Sequence, residues 1–485
     1  MTPPLPQAPH TLRSSDDPVT MLRRWSRSDD RAAAEAAVGQ MTAHYIKDTG
    51  RGLPLEGVDL SGLDLRNFDL RAANFNRAAL HGAILDNADL TGASLICTGL
   101  ERASLRGARL RHAYVHSLAA QVTNFDGADL TGWADSTGAL FHGCSMIDAK
   151  LTDSMLSGST FYQCTLVRCD FTGARLQGST INECQASHAS FRDSQVDELT
   201  VTKTDLQGAS FEGAKGEGLV LQRLTGAESL TLAHAKLPGL CLRHIRAPLL
   251  NLTATDASGG TFSDIWAPGL VAGGAQFSGA NIQRCTWPQA KLRRASMDHA
   301  SLRHVTLDEG DLRNINAENA TMTECRFVDA DMSGIAGRCL TWRDCESSSV
   351  DLADAYLYRA MITGDPPRTM ALNGARLQRA VLVQSYIAAS LQHADLTLAH
   401  MAYARLNQSD LTGAKLEGIS IYGGSLIKAD MTDSSVNGLR GPAFVDRCRG
   451  LSDELARSKD PETERFANFI ELLTSLLQQQ RRGST

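Results

Sequence analysis

The sequence predicts an all-β solenoid, because two features recur every five residues along most of the chain. Between residues 73 and 95 a large apolar residue returns at every fifth position, as at Leu80, Leu85 and Leu90. An alanine lies two positions before each of them, so each pair faces the same side of a short extended segment. A period of five fits neither an α-helix nor an uninterrupted strand. The chain is therefore expected to turn a corner in every five-residue unit.

The positions within one unit have different roles. We call the large apolar residue the centre. The centre and the small residue two places before it point inward, whereas the residue between them points outward, as Asp89 does between Ala88 and Leu90. Glycine often follows two places after the centre, as at Gly92, where the chain needs a turn. Each unit is thus a short strand followed by a corner.

This pattern resembles the A(D/N)Lxx motif of the pentapeptide-repeat family. ADLTG occurs at 88–92 and at 128–132, and SDLTG occurs at 409–413. The resemblance extends over roughly residues 53–438. It implies a right-handed quadrilateral β-helix with four repeats per coil and the centres stacked inside, and it says little about function.

Helices are expected to cap both ends of the solenoid. We expect a disordered tail at 1–17, an N-terminal helical cap at 18–50, the β-helix at 51–442 and a C-terminal helical segment at 443–485. The C-terminal segment carries an apolar stripe that includes Phe469, Leu473 and Leu476. This stripe either covers the last coil or forms a homodimer contact.

Four segments interrupt the repeat, namely 131–145, 216–231, 245–275 and 363–371. In the first, Asp135 occupies a centre position, where a carboxylate would be costly to bury. We therefore expect a protruding loop there, with Trp133 as a candidate partner contact, and an inserted residue between Leu140 and Met146. In the last segment Pro367 occupies a centre position, which indicates a second loop that exposes Arg368.

The interruption at 245–275 has small residues where large centres are expected, for example Ala247 and Ala267. Trp266 falls between the inward positions and should face outward. It either contacts a partner, since tryptophan is enriched in binding hot spots, or folds over the thinned core.

Catalysis is not expected, and neither is a cofactor or a metal. The inward positions hold Leu, Phe, Ala and Cys, and no P-loop, nucleophile elbow or HExxH motif is present. His299 and His304 occupy equivalent positions in adjacent repeats, but two histidines without a third ligand make a poor zinc site. Cysteines such as Cys164 occupy small inward positions and are interpreted as reduced core residues.

Charge and hydropathy indicate which kinds of partner and which cellular location to expect. The net charge is only −6 over 485 residues, so nucleic-acid binding is not expected. The chain has neither an apolar run long enough to span a membrane nor an N-terminal signal peptide, which favours a cytoplasmic bacterial protein.

The sequence and the resemblance suggest three candidate functions. The first is a protein–protein interaction scaffold, because mixed charge on flat walls suits protein partners. The second is an effector or accessory component of a specialised bacterial secretion system, which needs no cleavable signal. The third follows from the resemblance: some pentapeptide-repeat proteins imitate DNA and bind DNA gyrase or topoisomerase. That role requires a dense negative charge, which this chain lacks.

Overall fold

The protein is a parallel β-solenoid, as the sequence predicts. The computed structural model describes Glu35 and residues 52–363, 372–427 and 429–435. The predicted tail, the C-terminal segment with Phe469, Leu473 and Leu476, and nearly all of the predicted N-terminal cap lie outside these residues. Glu35 is helical, and its carboxylate accepts a hydrogen bond from the backbone N–H of Asp64 at 2.8 Å.

The chain divides into two units, the first ending at Leu237 and the second beginning at Pro238. In the first unit each strand pairs in parallel with the next: β1 (Ala119–Gln121), β2 (Leu140–His142), β3 (Thr160–Tyr162), β4 (Thr180–Asn182), β5 (Thr200–Thr202) and β6 (Val220–Gln222).

The second unit repeats this arrangement with eight strands, again each parallel to the next. They are β7 (Cys241–Arg246), β8 (Thr261–Trp266), β9 (Asn281–Gln283), β10 (Ser301–Arg303), β11 (Thr321–Thr323), β12 (Thr341–Arg343), β13 (Met361–Thr363) and β14 (Tyr386–Ala388).

Each regular coil has four walls, which we number in chain order for the second unit. The strands form the first wall, where β8 pairs with β9, and β7 and β8 continue onto the second wall. Single parallel bridges then follow on the second wall (Trp266 to Thr286), the third (Val271 to Lys291) and the fourth (Gln276 to Ser296). Partners lie twenty residues apart on every wall. Outward residues therefore form columns whose members are distant in sequence.

Apolar side chains fill the interior. The rings of Phe171, Phe191 and Phe211 are fully buried and stack face to face, with centroids 4.9 and 4.5 Å apart. This spacing is that of neighbouring β-strands, so identical residues one coil apart pack ring on ring.

The predicted thinning of the core at 245–275 does not occur. Ala247 and Ala267 are small centres, but Ile245 and Ile265 fill the inward position two residues earlier and are each only 2% exposed. Large and small residues have exchanged places, so the interior volume is maintained. The longest strands, β7 and β8, run through this segment. Trp266 is therefore not required to fill the core.

The predicted loop at 131–145 is also wrong. Ala119 of β1 pairs with Leu140 of β2, which makes this coil only one residue longer than a regular one. Asp135 supplies the extra residue: it adopts a left-handed backbone with φ 55°, and Ser136 takes the inward place. The carboxylate thus stays outside, as expected, but a bulge of one residue is sufficient.

Trp133 lies in the interior beside this bulge. Its indole is fully buried, stacks on the ring of Phe141 at 6.3 Å and meets Phe125 edge-on. Leu140 is 55% exposed, whereas Phe141 points inward. The register of inward positions therefore changes before Leu140. The large indole occupies a position normally held by alanine, and the small Ser136 compensates for its volume.

Three further described coils differ in length from the regular twenty residues. Asp205 pairs with Gly226, one residue beyond the regular step, within the predicted interruption at 216–231. Asp351 pairs with Arg376 across twenty-five residues, and Arg376 then pairs with Asp395 across nineteen. The predicted loop that carries Arg368 belongs to the longest of these coils, and Arg368 itself lies outside the described residues.

Candidate functional site

The outward residue before each centre explains the D/N of the repeat motif. The carboxylate of Asp256 accepts hydrogen bonds from the backbone N–H of Ser258 at 3.1 Å and from its hydroxyl at 2.7 Å. The N–H after the centre takes no part in the ladder of backbone bonds between coils, so an Asx-type turn satisfies it. Such turns place polar side chains on the outer walls.

Arginines on the walls of the second unit commonly pair with a carboxylate one coil away. Arg284 donates to Asp264 at 2.7 Å, and Arg379 donates to Asp354 at the same distance. Hydrogen bonds from these guanidinium groups lower the pKa of both carboxyl groups. Two surfaces depart from this pattern, because they combine exposed apolar side chains with unpaired arginines.

The first surface is the tryptophan patch, which consists of Trp266, Leu249 and the three prolines Pro248, Pro268 and Pro288. Trp266 is 42% exposed on the second wall, and the guanidinium carbon of Arg246 lies 5.6 Å from the centre of its ring. Leu249 is 55% exposed and leans over Gly269 in the next coil. The cation–π contact holds the indole against the wall with part of its face accessible.

The three prolines of the tryptophan patch form one column. Each follows a centre, the one position of the unit whose N–H makes no backbone hydrogen bond, so proline costs no inter-coil bond there. Their carbonyl oxygens remain in use: Pro268 accepts from Leu249 at 3.1 Å, and Pro288 accepts from Gly269 at 2.9 Å. The column is consequently a rigid apolar stripe within an intact sheet.

Basic side chains border the tryptophan patch on the third wall. Lys291 lies one coil beyond Val271, and Arg293 and Arg294 follow it in sequence. Among the described residues, no carboxylate lies within ion-pair distance of these three side chains. Asp311 lies one coil beyond Lys291 and is paired with Arg313, so positive charge remains in excess at the edge of the patch.

The second surface is the tyrosine surface, formed by Tyr356, Tyr358, Tyr386, Tyr403 and Tyr422, which are five of the eight tyrosines in the chain. It spans the fourth wall and the adjoining part of the first wall. Tyr356, Val381 and His400 form one column, Tyr358, Val383, Ala402 and Tyr422 another, and Met361, Tyr386 and Arg405 a third. Four of the tyrosines are more than one-third exposed.

Contacts between neighbouring side chains order the tyrosine surface. Tyr356 and Tyr358 stack with centroids 6.3 Å apart, whereas Tyr403 meets Tyr422 edge-on at 6.1 Å. The hydroxyl of Tyr358 and Nε of Arg359 both donate to Oε1 of Gln384, at 3.0 and 2.8 Å. The guanidinium carbon of Arg359 also lies 5.1 Å from the ring centre of Tyr358.

Positive charge on the tyrosine surface is unpaired. These columns, the adjacent column of Arg359, Gln384 and Tyr403, and the next residue along each column contain Arg338, Arg359, Arg405 and His400 but neither aspartate nor glutamate. Asp354 lies at the adjoining corner and is paired with Arg379. Within the described ranges, no carboxylate lies within ion-pair distance of the three arginines, although nearby Arg343 and Arg379 each have one.

The histidines and cysteines that could serve as metal ligands or reactive groups have structural roles instead. No group of three or more His, Cys, Asp or Glu side chains among the described residues could hold a metal ion. His304 bonds Glu324 at 2.6 Å, and His299 lies 3.4 Å from Asp298. Burial raises the pKa of the Cys285 thiol to about 12, as expected for a core cysteine. No helix in the part of the chain that the structure describes is long and apolar enough to cross a membrane.

The structure bears differently on each residue that the sequence predicts to contact a partner. Trp266 is exposed, with the tryptophan patch around it. Trp133 was wrongly assigned as a partner contact, since its side chain is fully buried. Arg368, Phe469, Leu473 and Leu476 lie outside the described residues. Sequence reasoning missed the tyrosine surface, although aromatic residues at outward positions were a signal for it.

Comparisons with known proteins agree with this architecture. The sequence model for pentapeptide repeats matches eight segments: 55–92, 73–111, 137–173, 156–193, 169–208, 274–308, 300–335 and 387–418. No curated protein sequence is significantly similar to the chain.

The solved structures that are similar to parts of this chain include QnrB1 and HetL. QnrB1, a plasmid-mediated fluoroquinolone resistance protein, is 21% identical over 42% of this chain and 91% of its own, with a TM-score of 0.19. HetL, a pentapeptide-repeat protein involved in heterocyst differentiation regulation from the cyanobacterium Nostoc sp. strain PCC 7120, is 18% identical over 57% and 95%, with a TM-score of 0.16.

Proposed function

The chain belongs to the pentapeptide-repeat family, and we propose that it is a non-catalytic scaffold that binds a partner protein through the tryptophan patch. The observation that carries this proposal is the position of Trp266, 42% exposed beside a column of three prolines. Most inward positions described for the solenoid hold apolar side chains, which supports a role exercised by the outer walls.

The tryptophan patch has the properties of a binding hot spot. Trp266 offers a large apolar surface that Arg246 holds in place, so little conformational freedom would be lost on binding. The proline column adds a rigid apolar neighbour. Lys291, Arg293 and Arg294 contribute a positive edge that would accelerate association with a partner of opposite charge.

Two regions that the sequence predicts to contact a partner lie outside the described residues and are included in this proposal. Arg368 would extend the binding surface from its own segment. Phe469, Leu473 and Leu476 would either cover the last coil or join two copies of the chain. Gel filtration with light scattering on the full chain and on a version ending at Leu451 separates these roles, because only a dimer contact halves the mass on truncation.

DNA mimicry is not proposed. Carboxylates on the walls of the second unit are largely neutralised by neighbouring arginines, as in the pairs Arg313–Asp311 at 2.6 Å and Arg326–Asp308 at 2.6 Å. A DNA-like surface would instead require closely spaced, unpaired negative charge. No particular residue favours the secretion-system role over the scaffold.

Affinity capture with matched variants tests the scaffold. Tagged wild type, Trp266→Ala and Thr286→Ala would be incubated with extract of the source organism, and retained proteins identified by mass spectrometry. Thr286 is the proper control because it lies directly above Trp266 on the same wall. We expect a protein that wild type and Thr286→Ala retain and that Trp266→Ala loses.

The captured protein is then purified and its affinity measured. Loss of the indole should weaken binding at least about tenfold, which is typical of a tryptophan hot spot. Identical sets of retained proteins for wild type and Trp266→Ala would contradict the proposed role of the patch.

A further inference from the structure

We propose that the tyrosine surface is a second docking site, which binds an acidic segment of a partner protein independently of the tryptophan patch. The surface is defined by contacts between coils and not by any sequence motif. Its composition, its internal order and its charge each point to this class of partner.

Composition distinguishes the tyrosine surface from the other walls. Tyrosine, methionine and arginine are enriched in protein interfaces, whereas aspartate and glutamate are depleted. Here Met361 and Tyr386 pair directly across coils, and Arg405 continues the same column. The third wall instead often carries an aspartate before the centre, as at Asp311, Asp331 and Asp351.

The surface is also ordered before any partner binds. Gln384 receives one hydrogen bond from Tyr358 and another from Arg359, which fixes both side chains. Tyrosine has few rotatable bonds, and its neighbours here limit them further. Binding would therefore lose little side-chain entropy.

Unpaired arginines select for negative charge in the partner. Arg338 and Arg405 are exposed; Arg338 lies one coil before Tyr358, and Arg405 lies one coil beyond Tyr386. Several other arginines of the unit pair with a carboxylate, as Arg376 does with Asp351 at 3.2 Å. An acidic segment would supply the missing carboxylates, and aromatic or apolar residues within it would cover the tyrosine rings.

The geometry favours a polypeptide over a single-stranded nucleic acid. Nucleic-acid bases stack on free aromatic faces. Tyr356 and Tyr358 stack on each other, and Arg359 lies over the Tyr358 ring. The columns also contain Val381, Val383 and Met361, which offer apolar contact but no stacking platform. Four coils at about 4.8 Å spacing give a height of about 15–20 Å, suited to a short segment.

A random copolymer of glutamate and tyrosine is the probe for this site. Its affinity for the full chain would be measured by fluorescence anisotropy at low and at physiological salt. The test variant is Tyr403→Ser/Arg405→Glu, in which both altered side chains are exposed and outside the core. The matched control is Tyr114→Ser/Arg109→Glu in the first unit, which makes the same chemical changes at exposed positions.

We expect wild type to bind the copolymer and the test variant to bind it at least about tenfold more weakly. The matched control and Trp266→Ala should bind as wild type does. Circular dichroism during heating would verify that all variants unfold at the same temperature.

Several results would overturn the proposal: no binding by wild type, equal loss in the matched control, loss in Trp266→Ala alone, or tighter binding of oligothymidylate than of the copolymer. Because Trp266→Ala is measured in both experiments, failure of this site and failure of the tryptophan patch are distinguishable.

Discussion

The ring of Tyr403 lies over Gly423, the residue at the equivalent corner one coil later. A methyl group on Gly423 would approach Cε1 of Tyr403 to 2.6 Å. Leu398 lies over Gly418 in the same manner, with a corresponding distance of 2.8 Å. A corner without a side chain thus gives room to a large side chain in the preceding coil. The shape of the tyrosine surface therefore depends on a glycine that need not contact the partner.

Replacing Gly423 with alanine should reduce stability for two reasons. Gly423 has φ 67°, where alanine costs about 1 kcal/mol, and the new methyl group would displace Tyr403. Gly274→Ala is the control, since Gly274 also has φ 67° but a methyl group there would meet nothing within 4 Å. Urea unfolding should show a larger loss for Gly423→Ala, and equal losses would refute the contact.

The exchange of large and small residues at Ile265 and Ala267 can be tested by a double-mutant cycle. Ile265→Ala should cost about 2–5 kcal/mol by creating a cavity. Ala267→Leu alone should cost about 1–3 kcal/mol by overpacking. Together they restore the usual order, so we expect the pair to cost clearly less than the sum of the single changes. Additive free energies of unfolding would show that the two positions do not share one space.

The five-residue period was sufficient to predict the solenoid, because the alternation of inward and outward residues is strictly local. It failed where volume is shared between neighbouring inward positions. Trp133 appeared to be outside the repeat because Asp135 held the expected centre position, yet the indole fills the core and the chain bulges at Asp135. Volume exchange of this kind depends on side chains in adjacent coils, which a single-repeat pattern does not represent.

The tyrosine surface was hidden for a related reason. Tyr356, Val381 and His400 form one column, but they are separated by twenty-five and then nineteen residues. A search at multiples of twenty places them on different columns. Only the pairing between coils brings these outward residues together, and each irregular coil changes the alignment of every residue that follows.

Asp298 should make the protein sensitive to acid. Its carboxylate accepts hydrogen bonds from the hydroxyls of Ser278 and Ser296, which lower the pKa of Asp298. A carboxyl group with a lower pKa in the folded state stabilises the protein above its unfolded pKa of about 3.9, and this contribution is lost as pH falls below that value. Ser278→Ala should raise the pKa of Asp298 measured by NMR and reduce the acid-dependent loss of stability. An unchanged pKa in this variant would contradict the assignment.

Cysteine reactivity should report directly which side of the wall a residue faces. Cys97 is exposed, whereas Cys285 is buried and its thiol pKa is raised to about 12 by burial. At about pH 8 the reactive thiolate of Cys285 would be scarce as well as inaccessible. Iodoacetamide should therefore modify Cys97 in the folded protein and Cys285 only after unfolding in urea, as measured by mass spectrometry of the peptides. Labelling of both residues at equal rates in the folded protein would mean that the coil around Cys285 opens readily or that its inward assignment is wrong.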